Sequence, residues 1–279
     1  MVQSIAQPVR IGRGWQEPVP SPEALGQFEA HVLEQAPREA VGFLVQSPDG
    51  PIVYEPVANV HPEPETNFRV ADADYLALEP AAVALLHSHV HPDAFDTQKC
   101  LPGMAPNCPS EPDMIGQMSM ALPWGIAVTN GRVVMPPFFW GSFVLDQPLL
   151  SRSFRHGIDD CYSAIRKWYW QEWQVLLPDF PRASDWWYGD RELYLDGYAK
   201  AGFRELDDGE PKELGDVGMV RVGDRLVKTV NHGFVYLGDG TVFHHLPGRL
   251  SRREAVGGSL RQVTRWVRFS GLPSEGSVP

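Results

Sequence analysis

Apolar positions open the chain with a helical rhythm. Ala24, Leu25, Phe28, Val32 and Leu33 fall on one stripe, behind Ser21 and Pro22. That order predicts a helix starting at Ser21, with Pro22 in its first turn and Pro37 ending it. The pattern then shortens. Residues 41–46 and 52–56 read as strands around the turn Ser47-Pro48-Asp49-Gly50, and residues 72–78 form a short helix candidate. Residues 81–89 are almost continuously apolar and end in polar residues, as a buried strand delivering side chains to a site would. Residues 90–109 are irregular and Pro-rich. A helix over 110–121 follows, then strands over 124–128 and 132–135 around Asn130-Gly131.

Residues 138–152 carry Gly141 and Pro148 among Phe138, Phe139, Trp140 and Phe143, which predicts an interdomain segment that packs rather than swings. Beyond it, residues 160–174 read as a helix burying Ile165, Trp168, Tyr169 and Trp173. A second helix over 191–201 closes at Gly202. Strands are predicted over 217–222, 226–231, 233–237, 242–245 and 264–269, with Gly238-Asp239-Gly240 as a hairpin turn. The expectation is an α+β chain of two domains, 1–137 and 153–279, joined by 138–152.

Composition narrows the function classes. At 279 residues, with 43% hydrophobic and 21% charged residues, the chain can bury two cores. A net charge of −11 argues against nucleic acid, whose affinity rests on neutralised phosphates. The late arginines Arg249, Arg252, Arg253, Arg261, Arg265 and Arg268 read as a solvated surface. No apolar run approaches the length of a membrane span, and residues 1–17 lack the apolar block of a secretory signal. Three cysteines build no disulfide framework. Cys100 and Cys108 could pair with each other, but a reducing cytoplasm favours free thiols.

Two constellations carry chemistry. His87 and His89 alternate with Ser88 at the end of the apolar strand and so project to one side, close enough to share an ion. Asp113, in the first turn of the 110–121 helix, offers a third ligand, and Glu39 a general base. Singly, each has an ordinary reading: core histidines, a Ser110 helix cap with an acid in the first turn, a surface charge. Together, Pro37-Arg38-Glu39-Ala40-Val41-Gly42-Phe43-Leu44, His87-Ser88-His89 and Ser110-Glu111-Pro112-Asp113 resemble the JAMM/MPN metallopeptidases. The resemblance implies Zn2+ on His87, His89 and Asp113, Glu39 as acid and base, and Ser110 as an oxyanion donor. Residues 90–109 depart from that pattern as a long insertion, readable as a loop, a lid or a substrate-reading element. His91, Asp96, Cys100 and Cys108 within it are potential ligands, and His89-Val90-His91 offers an alternative register.

In the second half, Cys161 opens a helix behind Asp159-Asp160, where unpaired backbone N–H groups favour a thiolate. His232 and His244 sit on adjacent predicted strands that could bring their rings side by side, while His245 alternates to the other face. Asp160-Cys161, His232-Gly233 and His244, in that order, resemble the NlpC-type cysteine peptidases. This implies a papain-like fold with Cys161 as nucleophile, His232 as base and His244 as orienting group. Tyr162-Ser163 replaces the Ser-Gly usual after that cysteine.

The fusion of the two, with Leu122-Pro123-Trp124-Gly125-Ile126, Phe154-Arg155-His156-Gly157 and Leu177-Pro178-Asp179-Phe180-Pro181-Arg182, resembles a family of phage tail assembly proteins. That resemblance implies amide-bond hydrolysis, bacterial peptidoglycan as substrate and other tail-tip proteins as partners. It also implies synthesis in the host cytoplasm with passage into the virion tail. Maturation of tail components, or a structural role for enzyme-like domains, are the alternatives it leaves open.

Overall fold

The computed structural model describes residues 16–47, 50–120, 122–257 and 262–271. The turn at Pro48-Asp49, the end of the 110–121 helix at Ala121, and Arg261 lie outside the described residues. The chain divides into two compact units, Met1–Val144 and Leu145–Pro279, each with its own sheet. The architecture is mixed α+β, as expected. Among the described residues no helix is long and apolar enough to cross a membrane.

In the first unit, α1 (Pro22–Gln35) starts where the Ser21 hydroxyl accepts from Ala24 N–H. Only Ala24, Phe28 and Val32 are buried, one residue per turn, and Leu33 is exposed. The stripe is therefore narrower than the sequence suggests. Its partner is the sheet β2-β1-β3-β4-β5, formed by β1 (Val41–Gln46), β2 (Ile52–Val57), β3 (Ala82–Val90), β4 (Trp124–Thr129) and β5 (Phe138–Trp140). Strands β3 and β4 run parallel and all other pairs antiparallel.

One face of this sheet, with Leu44, Tyr54, Ala84, Leu86 and Ala127, packs against α1. The other carries Phe43, which meets Tyr75 of α2 (Asp72–Leu78). On that same side Trp124 lies under α3 (Glu111–Ser119), where Gly116 leaves room for the indole: an added Cβ would sit 2.5 Å from its ring. Residues 138–140, expected as the start of a linker, are strand β5, because Phe138–Trp140 pairs with β4. Residues 132–135 form no strand; a single bridge, Thr129 to Val134, replaces it.

The second unit packs α4 (Cys161–Trp173) across a six-stranded sheet ordered β10-β9-β8-β7-β11-β6. These are β6 (Phe203–Glu205), β7 (Val217–Val220), β8 (His232–Tyr236), β9 (Thr241–His244), β10 (Arg252–Ala255) and β11 (Arg265–Phe269). Every pair is antiparallel. Ala164, Ile165, Trp168 and Tyr169 meet Met219, Val235, Phe243 and Val267 in the main core. Trp173, expected in that face, is 39% exposed and instead closes over Gly215, whose φ of +92° no ordinary side chain would share.

In the second unit, sequence periodicity overstates one helix and misses two strands. Residues 191–201 hold only α5 (Leu193–Gly197) before a run of turns ending at Gly202 (φ +87°). Residues 226–231 form no strand. β6 and β10, three and four residues long, pair at the two edges of the sheet.

Candidate functional site

In the first unit, register builds the site. Val41 lies opposite His87, and the Ser88 hydroxyl accepts from Ala40 N–H at 2.9 Å while Ser88 N–H donates to Ala40 O. Ser88 thus ties the entry of β1 to β3 on the face away from its two histidines. Continuing that register brings Glu39 across from His89. The Glu39 backbone is held from the far side too: its N–H donates to Pro64 O, and the buried amide of Asn59 donates to its carbonyl.

Asp113 arrives from α3. Its Oδ2 accepts from Ser110 N–H (2.8 Å) and Ser110 Oγ (2.7 Å), a capping box that fixes the carboxylate at the helix start. The same Oδ2 is 3.1 Å from His89 Nε2, and Oδ1 is 3.3 Å from His87 Nε2. His87, His89 and Asp113 each offer a ligand atom within 4.8 Å of the others, so the group could hold a metal ion. Ser110 reaches the cluster, but its hydroxyl is engaged by Asp113.

Three observations bear on whether a metal fits. His87 is fully buried among Phe68, Trp124 and Trp140, and neither ring nitrogen makes a hydrogen bond; the 3.3 Å approach to Asp113 is too poorly aligned to be one. An orphaned buried nitrogen facing a carboxylate is what a cation would satisfy. His89 Nδ1 lies 2.8 Å from the carbonyl of Pro106. A carbonyl only accepts, so Nδ1 carries a proton and Nε2 is the atom turned to the cluster, where it would give up its own proton to ligate a cation. Finally, two imidazoles and a carboxylate suit Zn2+. Pro106 belongs to the 90–109 insertion, which therefore orients a ligand. His91 and Cys100 face each other within that insertion (3.9 Å) and lie outside the ligand group; none of the three cysteines is in a disulfide.

Charge in the cluster is held apart. Burial works against an ionised Asp113, but His87 and His89 carry its carboxyl well below the ordinary range. Burial likewise opposes protonation of His89, and Asp113 outweighs it, raising His89 to about 8. Glu39, 6% exposed, is raised by burial to about 7, with His89 pulling it down and Asp113 pushing it up.

In the second unit, Asp160 caps α4 and places Cys161 in its first turn. Asp160 Oδ1 accepts from Ser163 N–H (2.9 Å) and Oδ2 from Gly157 N–H (2.8 Å). Arg182 donates to both oxygens at 2.9 Å and reaches on to Asp179 and the Phe180 carbonyl. Burial would neutralise Asp160, yet Arg182 and the backbone donors hold it ionised, well below the usual carboxylate range.

The Cys161 sulfur sits against the start of β8. It lies 3.8 Å from Asn231 O and accepts from Gly233 N–H, the residues on either side of His232. Tyr194 of α5 donates its hydroxyl to Sγ at 3.1 Å. Helix position alone predicts a thiolate, but burial and the neighbouring Asp160 push the thiol up to about 11, against Tyr194, Gly233 and Arg182. Burial, His244 and His245 push His232 down to about 3. Both groups rest neutral near pH 7.

His232 Nε2 is 3.0 Å from His244 Nδ1, so the two rings predicted to lie side by side do so. His244 Nε2 in turn is 3.0 Å from Glu254 Oε1, and Arg252 holds the other oxygen of Glu254 at 2.5 Å. His245 faces away, with Nε2 3.2 Å from Arg249 O. Tyr194 and Glu254 have no counterpart in the sequence reading, and Arg182 enters it only inside the 177–182 motif, with no role assigned. Asp160 before Ser163 signals a cap, but nothing local marks the cation or hydroxyl that reach it from distant segments.

No family model matches the chain. Over 248 residues it is 32% identical to the tail tip assembly protein K of Escherichia phage N15, covering 86% of this chain and 91% of that protein. It is 34% identical over 188 residues to the protein of the same name in Escherichia phage lambda, covering 67% and 77%. Among solved structures, an NlpC/P60 family protein from Bacillus cereus ATCC 10987 covers 88% of this chain and 67% of that one. Its sequence identity is 15% and its TM-score 0.30, a likeness too loose to argue from.

Proposed function

The chain belongs to the tail tip assembly protein K family, and we propose that it is a phage or prophage tail-tip peptidase whose Cys161 unit cleaves peptide stems of bacterial cell wall. The observation that carries this reading is the half-buried cysteine at a helix start, its sulfur contacted by Tyr194 O–H and Gly233 N–H next to His232, whose ring pairs with His244. In this reading the second unit is an NlpC-type, papain-like domain. The first is a JAMM/MPN-like domain with a peptide or isopeptide hydrolase site. The protein is made in the host cytoplasm and acts from the virion tail beside other tail-tip proteins.

At the thiol site, the Sγ proton passes to His232, and the sulfur attacks the scissile carbonyl carbon. The resulting oxyanion is met by backbone N–H groups at the start of α4. Expulsion of the amine takes a proton from the His232 imidazolium and leaves an acyl thioester on Cys161. Water then attacks the thioester carbon as His232 takes its proton, the C–S bond breaks to release the carboxylic acid, and His232 returns the proton to sulfur. Because Cys161 and His232 both rest neutral, the thiolate is generated only as His232 accepts the proton.

In the first unit, His87, His89 and Asp113 would hold Zn2+, which when bound supplies Lewis acidity toward a carbonyl and water. Glu39 takes a proton at its carboxylate and returns it to the leaving amine. Ser110 holds Asp113 in place; it serves as an oxyanion donor only if its hydroxyl turns away from that carboxylate.

A second reading, processing of a tail component during assembly, draws on the names of the two relatives. Digestion of purified peptidoglycan by wild type, Cys161→Ala and Glu39→Gln tests both. Wall cleavage requires stem-peptide fragments that vanish in Cys161→Ala. Intact wall, together with a tail protein left uncleaved in Cys161→Ala particles, makes the substrate a tail protein. Fully infectious tails from both variants leave a structural role.

A further inference from the structure

Between α5 and the core face built by α4 and the sheet, the second unit leaves a cavity of about 50 Å³, partly open to solvent. We propose that this cavity is a subsite for one small aliphatic side chain of a peptide held at Cys161. The inference rests on the thiol reading and deepens it by naming the side chain the site prefers.

Its chemistry is apolar. Ile165, Phe203, Met219 and Val267 form the inner wall from the main core, and Tyr194 and Gly197 bound it from α5. The polar tips around it are engaged elsewhere. Tyr162 donates its hydroxyl to Pro178 O at 2.7 Å, the Tyr198 hydroxyl accepts from Arg265 at 3.3 Å, and the Tyr194 hydroxyl points at the sulfur. Arg182, a further wall, directs its guanidinium to Asp160, Asp179, Ser163 Oγ and Phe180 O, so its charge is not offered to a guest. A bound water needs two to four polar partners, and a polar side chain without one is costly to bury, so this space favours an apolar group over either. An apolar cavity of about 150 Å³ admits benzene. A third of that volume suits about two to three carbons, the range from a methyl to an isopropyl side chain.

Its position is beside the thiol. The Tyr194 ring is a wall of the cavity, and its hydroxyl lies 3.1 Å from Cys161 Sγ. Ile165 follows Cys161 by one turn of α4, on the same face. Gly233, whose N–H reaches the sulfur, brings these two walls together: an added Cβ there would lie 2.7 Å from Tyr194 and 2.8 Å from Ile165. The cavity is therefore one tyrosine side chain from the sulfur. That is the reach of a residue adjoining the scissile carbonyl, since an extended peptide advances about 3.3 Å per residue.

The space is kept open by a residue that the backbone does not demand. Gly197 ends α5 without the positive φ that calls for glycine. An added Cβ would meet nothing nearer than Phe180 at 3.8 Å, itself a wall of the cavity. Alanine would fit there and favour the helix. A larger side chain at that position would occupy the volume.

The iodoacetyl derivatives of valine amide, threonine amide and glycine amide carry one electrophile to Cys161 with three different side chains. Alkylation of the full-length protein is followed by mass spectrometry, each rate taken relative to that with free cysteine. The valine probe should react about tenfold faster than the glycine probe, the scale of a small apolar group in a hydrophobic pocket. Threonine, equal to valine in shape, should lose most of that advantage, because its hydroxyl finds no partner. Gly197→Val should bring the three rates together, and Gly197→Ala should move them part of the way. Urea transitions check that each variant is folded; if the valine variant is not, the alanine variant carries the test. Equal rates with the three probes on wild type, or a valine preference that survives in the folded Gly197 variants, overturns the proposal. Failure of the thiol reading has a different mark. If the valine preference follows Gly197 while Cys161→Ala still cleaves stem peptides at the wild-type rate, the peptidase role of Cys161 falls and the cavity's preference stands.

Discussion

Replacing Arg182 with leucine would strand a carboxylate that the fold can neither hydrate nor neutralise easily. Asp160 is 2% exposed and keeps two backbone donors, Ser163 N–H and Gly157 N–H, and the buried His156 ring with Nδ1 3.8 Å from Oδ2, once the guanidinium is gone. Breaking a buried ion pair by removing one partner costs about 3–5 kcal/mol. An exposed pair costs at most about 1 kcal/mol, and the whole stability of a domain is about 5–15 kcal/mol. The variant should therefore lose a large share of the second unit's stability. Asp160→Asn with Arg182→Leu should recover part of it, because the amide carries no charge to strand. Urea denaturation, followed by hydrogen exchange at α4 amides, measures the loss where it occurs.

pH supplies the sharper test. In wild type the folded-state pKa of Asp160 is depressed, so its contribution is complete above the unfolded value of about 3.9 and is lost as pH falls through the folded value. Without Arg182 the remaining burial favours the neutral acid, and the folded variant takes up a proton at higher pH. The deficit between the two proteins should shrink from pH 7 to pH 4. A deficit below about 1 kcal/mol, or one that stays constant over that range, would refute the assignment of Arg182 as the group that keeps Asp160 ionised.

Other expectations follow from the same contacts. Tyr194→Phe removes the hydroxyl donated to Cys161 Sγ; the thiol pKa should rise and alkylation near pH 8 should fall about two- to tenfold, the worth of one neutral hydrogen bond, whereas an unchanged rate would place that hydroxyl outside the thiol's electrostatics. Gly233→Ala would set a methyl 2.7 Å from the Tyr194 ring and 2.8 Å from Ile165 Cδ1, so it should destabilise the second unit by about 1–3 kcal/mol and mimic Tyr194→Phe in alkylation. Zn2+ should bind the protein at one equivalent and raise the first unit's stability by about 2.7 kcal/mol at a hundredfold excess over its Kd; calorimetry of His87→Ala and Asp113→Asn should show no such gain, and a gain that survives in both would move the ion elsewhere.

The parts of the molecule legible in the sequence are those whose causes are local. Ser21-Pro22 and Ser110-Asp113 announce their helices because the capping partners are three residues away. The α2 and β1 boundaries follow from uninterrupted patterning. His87 and His89 were readable as a pair because strand alternation alone puts them together. What stayed hidden depends on long-range pairing. β6 and β10 are too short for a period to register, and Glu254 acquires its meaning only from the strand beside it. Tyr194 is 33 residues from Cys161, and Arg182 is 22 from Asp160. Trp173 looked like core on spacing, but α4 ends there and its ring covers the loop at Gly215 instead. The thiolate expected from helix position is opposed by burial and an adjacent anion, which push the thiol up against the field of the first turn.

Acid-quenched mass spectrometry of the protein mixed with peptidoglycan stem peptides tests the central claim most directly. A stem-peptide acyl adduct on the tryptic fragment containing Cys161 is predicted, absent from Cys161→Ala and present in Glu39→Gln. Stem peptides cleaved at the same rate by Cys161→Ala, with no adduct in wild type, would contradict it.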